Sequence, residues 1–322
     1  MTARVIAASL EGAHDLRDLE ALVAKLDSDR QEVQVDALQS LRFLCHKPGI
    51  RIKLREAGLP AQLVSVMSSA VAAGSASPHA SEIMRDGLSI AQSLTGRPEY
   101  LPVTGQLIYK IDDWEPSIVD LLQAGAVPLL AVVLCSDEWR QHWARCMYVL
   151  SNLGRAKEYA TAAVIGQEQA LTEQLQFILA DGKDQDDDLR LSALVLVATL
   201  SRARDDEQLL KMLAQDGNLI EALELGLRDA PPASIEKCLW ALGNFASSEH
   251  FKHRVLEGGV LQDVEALLGC GPRAGNLLLR FTALKFCAFA FRNITDELCG
   301  KVFGSSPHSL LMLLSGALKV SP

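Results

Sequence analysis

Three segments of the sequence carry an aromatic residue and an asparagine four residues apart, a spacing that places both on one face of a helix. They read CMYVLSNLG from residue 146, CLWALGNFA from residue 238 and CAFAFRNIT from residue 287. An aromatic face attracts cations and covers methylene groups, and an asparagine amide offers a hydrogen-bond donor and an acceptor together. Such groups bind without covalent chemistry. The pairs are Tyr148 with Asn152, Trp240 with Asn244, and Phe289 with Asn293.

Signatures of covalent, metal or cofactor chemistry are absent from the sequence. It has no GxxxxGK[ST], no GxGxxG after a strand, no GxSxG and no HExxH. His250 and His253 form an HxxH, but no second ligand pair accompanies them, which is typical of an exposed helix face. We therefore predict a protein that is not an enzyme and has no catalytic residue, no cofactor and no metal site.

The amino-acid composition indicates which type of secondary structure positions the aromatic and asparagine pairs. The chain has 322 residues, of which 49% are hydrophobic and 5% are aromatic. Leucine and alanine dominate the apolar runs, and this favours an all-helical protein. The formal charge of −9 argues against nucleic acid as a partner and allows a basic protein partner.

Cysteines and the N-terminus predict where the protein works. The seven cysteines are odd in number and far apart, which is typical of small core residues in a reducing compartment. The first residues match neither a signal peptide nor a transmembrane span, so we expect no membrane association. We therefore predict that the protein is located in the cytoplasm or the nucleus.

The aromatic and asparagine pairs belong to an internal repeat. The run ALVLVATLS at 193–201 fits between the first two segments, with Val195 and Thr199 in place of the aromatic and the asparagine. The asparagine-equivalent positions are then 152, 199, 244 and 293, with steps of 47, 45 and 49 residues. Armadillo and HEAT repeats have periods of about 40–47 residues.

A second anchor, a glycine followed by an apolar helical stretch, recurs in phase with the first. Such a glycine ends a short helix in the left-handed conformation that glycine tolerates best. Each repeat is therefore predicted to contain a short helix, a glycine turn, a second helix, a polar loop and a longer third helix. The glycines are Gly58, Gly125, Gly217 and Gly259.

Residues 238–268 resemble an armadillo repeat, and WALGN followed by FKHRVLEGGVLQDVEALL is particularly similar to importin-alpha. The resemblance implies a right-handed all-α armadillo-repeat solenoid with a concave wall of third helices. In importin-alpha-like repeats the asparagine binds the main chain of an extended peptide, and the neighbouring Trp rings hold the stems of Lys or Arg. The resemblance also implies an acidic residue one helical turn after the asparagine.

The matching positions form the predicted peptide-binding site. Only Glu297 occupies the acid position after an asparagine, and only Trp240 with Asn244 is a true Trp–Asn pair. An alternative role for every pair is structural, because an aromatic can pack against the next repeat and an asparagine can bond a neighbouring carbonyl. The site residues are Trp240, Asn244, Tyr148, Asn152, Phe289, Asn293 and Glu297.

The repeat anchors divide residues 1–322 as one armadillo solenoid. A flexible loop is predicted at 70–81 and an insertion at 96–114. A partial first repeat spans 15–46 and a partial last repeat spans 296–318. The full repeats are predicted at 47–95, 115–154, 155–203, 204–247 and 248–295.

The sequence is consistent with two functions. The first is a non-catalytic protein-interaction scaffold that binds a protein or a linear peptide along its concave groove. The second is an assembly scaffold that binds a folded subunit through its convex face or through residues 96–116. Because the chain opens and closes on second helices, their apolar faces also predict self-association.

Overall fold

The computed structural model describes residues 16–47, 49–96, 114–155, 165, 169–180, 187–203, 207–214, 218–269, 276–292, 294–295 and 298. Every regular element within these ranges is a helix, which confirms the all-α prediction. The chain divides into two compact units, Met1–Thr161 and Ala162–Pro322. We call them the first and the second unit.

The first unit contains eight α-helices in its described residues. Short 3-10 turns, Lys25–Asp27 and Asp137–His142, precede α2 and α8. The helices are α1 Leu16–Ala24, α2 Gln31–Leu44, α3 Ile50–Glu56, α4 Leu59–Ala73, α5 Ala80–Thr95, α6 Trp114–Gln123, α7 Ala126–Leu134 and α8 Trp143–Leu153.

The described residues of the second unit also contain eight α-helices. The helix α13 begins with Pro232 in its first turn, where the missing N–H has no intrahelical partner to lose. The helices are α9 Gln169–Ala180, α10 Asp187–Leu200, α11 Glu207–Ala214, α12 Asn218–Asp229, α13 Pro232–Ala246, α14 Glu249–Glu257, α15 Val260–Leu268 and α16 Leu277–Ala290.

The helices follow the predicted order of a short first, a second and a long third helix. In the first unit the third helices α2, α5 and α8 pack in succession, α2 on α5 and α5 on α8. In the second unit α10 packs on α13, and α13 packs on α16. Each unit therefore has a layer of third helices. The predicted repeat limits stay a prediction.

Glycine forms the turn between first and second helices. Gly58, Gly125 and Gly259 have φ of 81°, 87° and 92°, the left-handed conformation that an L side chain rarely adopts. Each residue directly precedes a second helix. These observations confirm the glycine prediction at three of the four positions. Gly217 lies outside the described residues.

The predicted loop at 70–81 is shorter in the structure. Its alanines favour helix, so α4 continues through Ala73. Gly74, with φ of 80°, then ends the helix, and α5 starts at Ala80. Most of the predicted insertion at 96–114 lies outside the described residues, because only Gly96 and Trp114 fall within them.

Each unit has its own apolar interior. Trp139 and Trp143 are buried in the first unit, where the Trp143 indole N–H donates to the Val133 carbonyl oxygen at 3.0 Å. Phe245 and Phe286 are buried in the second unit. Burying such large side chains removes the most apolar area from water, so they contribute strongly to stability in each unit.

Candidate functional site

The cysteine and the aromatic residue of each of the three predicted segments lie on a third helix, namely α8, α13 or α16. Two residues before each aromatic stands a cysteine. Cys146, Cys238 and Cys287 have exposed fractions of 0%, 0% and 3%, so the cysteine stripe faces the interior as predicted. Burial raises the pKa of Cys238 and Cys287 to about 12 and raises the pKa of Cys146 further.

Asn152 lies in the interior of the first unit with an exposed fraction of 3%. Its amide nitrogen donates to the hydroxyl oxygen of Thr95 at 3.2 Å. Thr95 ends α5, and its hydroxyl donates to the Ala91 carbonyl oxygen at 2.8 Å. Asn152 therefore ties α8 to the end of the preceding third helix.

Asn244 has the same kind of environment in the second unit. It is 2% exposed, and its amide nitrogen donates to the Ser201 hydroxyl at 3.0 Å and to the Ala198 carbonyl oxygen at 3.4 Å. The Ser201 hydroxyl donates to the same carbonyl at 3.3 Å. Asn244 thus ties α13 to the end of α10, as Asn152 ties α8 to α5.

These hydrogen bonds match the structural alternative for the asparagines. A buried amide requires partners, and both amide nitrogens find them one repeat away in sequence. Neither side chain presents more than a few per cent of its surface to a ligand. The predicted contact of Asn152 and Asn244 with a peptide main chain is not tested by this geometry and stays a prediction.

Trp240 is half-buried on α13, and cations surround its ring. The Arg202 guanidinium carbon lies 4.1 Å from the ring centroid, the Lys285 Nζ 5.5 Å and the Lys237 Nζ 5.9 Å. All three distances allow cation–π attraction. Arg202 follows α10, Lys237 belongs to α13 and Lys285 to α16, so all three third-helix segments contribute. We call these four residues the Trp240 cluster.

The third aromatic, Phe289, is half-buried and lies close to α13. A β-carbon added at Gly243 would be 3.4 Å from Phe289 Cδ2 and 3.6 Å from the Phe286 α-carbon. The glycine therefore lets α16 approach α13 closely. Asn293 and Glu297 lie outside the described residues.

Tyr148 has a different environment in the first unit. It is 44% exposed, and among the described residues no cation lies over its ring. The nearby Arg145, three residues earlier, donates to the Arg85 carbonyl oxygen at 3.2 Å and to the Ser89 hydroxyl at 3.1 Å. The ring of Tyr148 is therefore open to solvent, while Arg145 bonds to α5.

In the first unit, the buried carboxylate of Asp86 binds arginines that lie on third helices. Asp86 on α5 is 0% exposed, and its Oδ1 lies 2.7 Å from Arg42 Nη1 and 3.2 Å from Arg85 Nε. The second carboxylate oxygen accepts from Arg85 Nη2 at 3.1 Å. The carboxylate of Asp86 thus binds Arg42 of α2 and Arg85 of α5.

Sequence reasoning missed the partners of the predicted residues. Lys237 stands three residues before Trp240, so helical spacing places it on the face of that aromatic. That spacing is a local signal for one member of the Trp240 cluster, whereas Arg202 and Lys285 come from segments distant in sequence. Thr95 and Ser201 carry no comparable local signal, because they lie 57 and 43 residues from the asparagines they bind.

The described residues contain no group of three or more His, Cys, Asp or Glu side chains that could hold a metal ion. Within the same ranges no single helix is long and apolar enough to cross a membrane. The two helices Glu115–Gln123 and Ala126–Leu134 together have sufficient length and hydropathy to cross a membrane, but they are bent by 74° at the break between them.

Solved structures with similar folds were found, whereas no protein-family model and no curated protein sequence matches the chain. A designed armadillo repeat protein in complex with the peptide (KR)4 is 20% identical with a TM-score of 0.65, covering 85% of this chain and 99% of its own. Computationally designed armadillo repeat proteins for modular peptide recognition are 19% identical with a TM-score of 0.63, covering 85% and 100%.

An engineered protein covers more of the chain. It is 16% identical with a TM-score of 0.72, and the match spans 97% of this chain and 68% of the engineered one. At these identities the likeness shows the fold. The chain has the all-α solenoid fold of armadillo repeat proteins, as the sequence predicted.

Proposed function

We propose that this chain is a non-catalytic protein that binds an extended peptide segment on the third-helix layer of its second unit. The observation that carries the proposal is the half-buried Trp240, which is surrounded by Arg202 just after α10, Lys237 of α13 and Lys285 of α16. A partly exposed indole at the centre of a layer is the type of residue that dominates peptide affinity.

The fold supports this function. Helical repeats arrange equivalent helices side by side, so one extended ligand can contact several repeats in turn. Two of the similar structures are designed armadillo repeat proteins, one with a bound peptide and one made for modular peptide recognition. A protein or peptide partner is therefore the partner class that the fold favours.

The aromatic and asparagine residues take separate roles in this proposal. Trp240, and to a lesser degree Phe289, contact the ligand, because part of each ring reaches the surface. Asn244 acts indirectly by holding α13 against the end of α10. This division differs from the importin-alpha-like mode, in which the asparagine itself bonds the peptide.

The alternative, an assembly scaffold, requires an exposed apolar patch away from the third helices. On the second helices of the second unit, Phe177 and Leu225 are 54% and 60% exposed. Single exposed apolar side chains are common on soluble proteins, so they favour this function less than the Trp240 cluster favours peptide binding. Most of the other candidate surface, residues 96–116, lies outside the described residues.

Selection from a random linear-peptide display library tests the proposal. Peptides that bind the full chain should lose about tenfold or more of their affinity for Trp240→Ala, because truncating an interface aromatic typically costs about 2 kcal/mol. They should bind Tyr148→Ala, the matched variant in the first unit, as tightly as the unchanged chain. Equal binding to both variants and the unchanged chain contradicts the proposal.

Location in the cell remains a prediction from the sequence. Five cysteines within the described residues are free thiols, and four of them are buried. This is compatible with the reducing cytoplasm or nucleus, and fluorescence microscopy of a tagged chain in its native cell tests the assignment.

A further inference from the structure

The charge around Trp240 has the opposite sign to that of the whole chain. The protein carries 40 acidic and 31 basic side chains, with a formal charge of −9. Yet the Trp240 cluster gathers three cations within 6 Å of one ring centroid. They therefore lie at most about 12 Å from one another, which concentrates positive charge around a single ring, although salt screens exposed charges that are more than about 8 Å apart.

The two lysines of the cluster differ in their ion pairing. Lys237 Nζ pairs with the Glu236 carboxylate at 3.1 Å. Lys285 is exposed, and within the described ranges no carboxylate lies at ion-pairing distance from its Nζ. Its ammonium instead lies 4.4 Å from the Phe281 ring centroid and 5.5 Å from that of Trp240. Aromatic rings attract a cation without neutralising it.

The sequence resemblance implies that the indole holds a lysine or arginine of the ligand. Here the chain's own Arg202 lies over the Trp240 ring, with its guanidinium carbon 4.1 Å from the centroid. A ligand cation would have to displace it and approach Lys285 and Lys237 as well. Like charges at such distances repel, whereas a carboxylate at the same place is attracted to several cations at once.

We infer that the Trp240 cluster binds an acidic peptide segment, in which Asp or Glu side chains flank an apolar residue. This inference rests on the proposed peptide-binding function and specifies its ligand. Carboxylates pair with Lys285, Lys237 and Arg202, while the apolar residue contacts the exposed parts of Trp240 and Phe281, the latter 55% exposed. The basic partner that the overall charge allows is not favoured at this surface.

Three fluorescein-labelled peptides test whether the preferred ligand is negatively or positively charged, by fluorescence anisotropy with the full chain. They are twelve residues long and share their Leu and Gly positions, while the remaining positions carry Asp and Glu, Lys and Arg, or Asn and Gln. The affinity for the acidic peptide should be at least about tenfold higher than for the neutral one. Added salt should lower that affinity because salt screens exposed ion pairs.

Charge reversal then locates the site. Lys285→Glu should weaken the acidic peptide about fivefold to tenfold, and Lys237→Glu with Lys285→Glu should weaken it further, since each exposed pair contributes a few-fold. Lys211→Glu is the matched control, because Lys211 is an exposed lysine of the same unit on α11, paired with Glu207. It changes the net charge equally and should leave affinity unchanged. Thermal melts check that all variants remain folded.

The outcomes separate this inference from the proposed function. Tighter binding of the basic peptide, lost in Trp240→Ala, would overturn the acidic ligand but retain peptide binding at Trp240. Equal losses with Lys285→Glu and Lys211→Glu, or equally tight binding of a single-stranded oligonucleotide, would show unspecific anion attraction and overturn the inference. If Trp240→Ala changes the binding of none of the peptides, both proposals fail.

Discussion

Tyr148 of the first unit and Trp240 of the second stand at the same repeat position but in different surroundings. Tyr148 is 44% exposed, and the neighbouring arginines bond to Asp86, Ser89 and a main-chain carbonyl. Trp240 is half-buried, and three cations lie within 6 Å of its ring centroid. Near Tyr148 the basic side chain of Arg145 serves hydrogen bonds to α5, whereas at Trp240 basic side chains surround the aromatic ring itself.

Below this surface the two units are alike. In both, the cysteine two residues before the aromatic is buried, and the asparagine four residues after it donates to a hydroxyl at or just beyond the end of the preceding third helix. The recurring part of the pattern thus stabilises helix packing. The charge around the aromatic ring differs between the units, and we propose that it determines which ligand binds.

Thiol reactivity tests the shared interior and gives the largest expected effect. Cys146, Cys238 and Cys287 should react with iodoacetamide at least a hundredfold more slowly than Cys135, which is exposed. Burial raises the pKa of Cys238 from 9.0 to about 12, which alone leaves roughly a thousandfold less thiolate at neutral pH. Peptide-resolved mass spectrometry of the native chain measures each rate. Rapid labelling of Cys238 would place α13 in a different orientation.

Removal of either asparagine tests the shared hydrogen bond. Asn152→Ala and Asn244→Ala should each lower the free energy of unfolding by about 1–3 kcal/mol, because buried hydroxyl and carbonyl partners lose a donor. Chemical denaturation of the full chain measures the loss, with exposed Gln123→Ala as the control. A change within about 0.5 kcal/mol for either variant would disprove a structural role in that unit.

A double-mutant cycle isolates the hydrogen bond itself. Asn244→Ala combined with Ser201→Ala should destabilise the chain less than the sum of the single changes, by about 0.5 kcal/mol or more. Strict additivity would mean that the two residues stabilise the fold independently, despite the 3.0 Å separation between the amide nitrogen and the hydroxyl oxygen.

Truncation of the aromatics sharpens the difference between the units. Trp240→Ala should cost about 1–2 kcal/mol of stability, since it removes a half-buried indole and its contact with Arg202. Tyr148→Ala should stay within about 0.5 kcal/mol, because its ring is largely exposed. Thermal and urea unfolding compare the two variants under one set of conditions. Equal costs would remove the distinction that we draw between the two surfaces.

Sequence spacing predicted the fold and the buried cysteines because both depend on local periodicity. It predicted a left-handed glycine before each second helix for the same reason, and three of the four are observed. The burial of Asn152 and Asn244 could not be predicted in this way. From Val149 to Gly154 and from Ala241 to Ala246 every residue is buried, so near its end each helix has no exposed face.

The charge around Trp240 is equally non-local. Arg202 stands 38 residues before Trp240 in the sequence and reaches its ring only because α10 packs on α13. A helical-face argument identifies Lys237 but gives no information about a neighbouring helix. The overall charge allows a basic partner, whereas the local arrangement around Trp240 favours an acidic one.

The most direct test of the account is fluorine NMR of the chain labelled with 5-fluorotryptophan, with Trp240→Phe used to assign the Trp240 resonance. Addition of the acidic peptide should shift that resonance in proportion to saturation. The resonances of Trp139 and Trp143, buried in the first unit, should not move. A Trp240 resonance that stays fixed at saturating acidic peptide, or that shifts only with the basic peptide, would contradict the claim that the Trp240 cluster binds acidic segments.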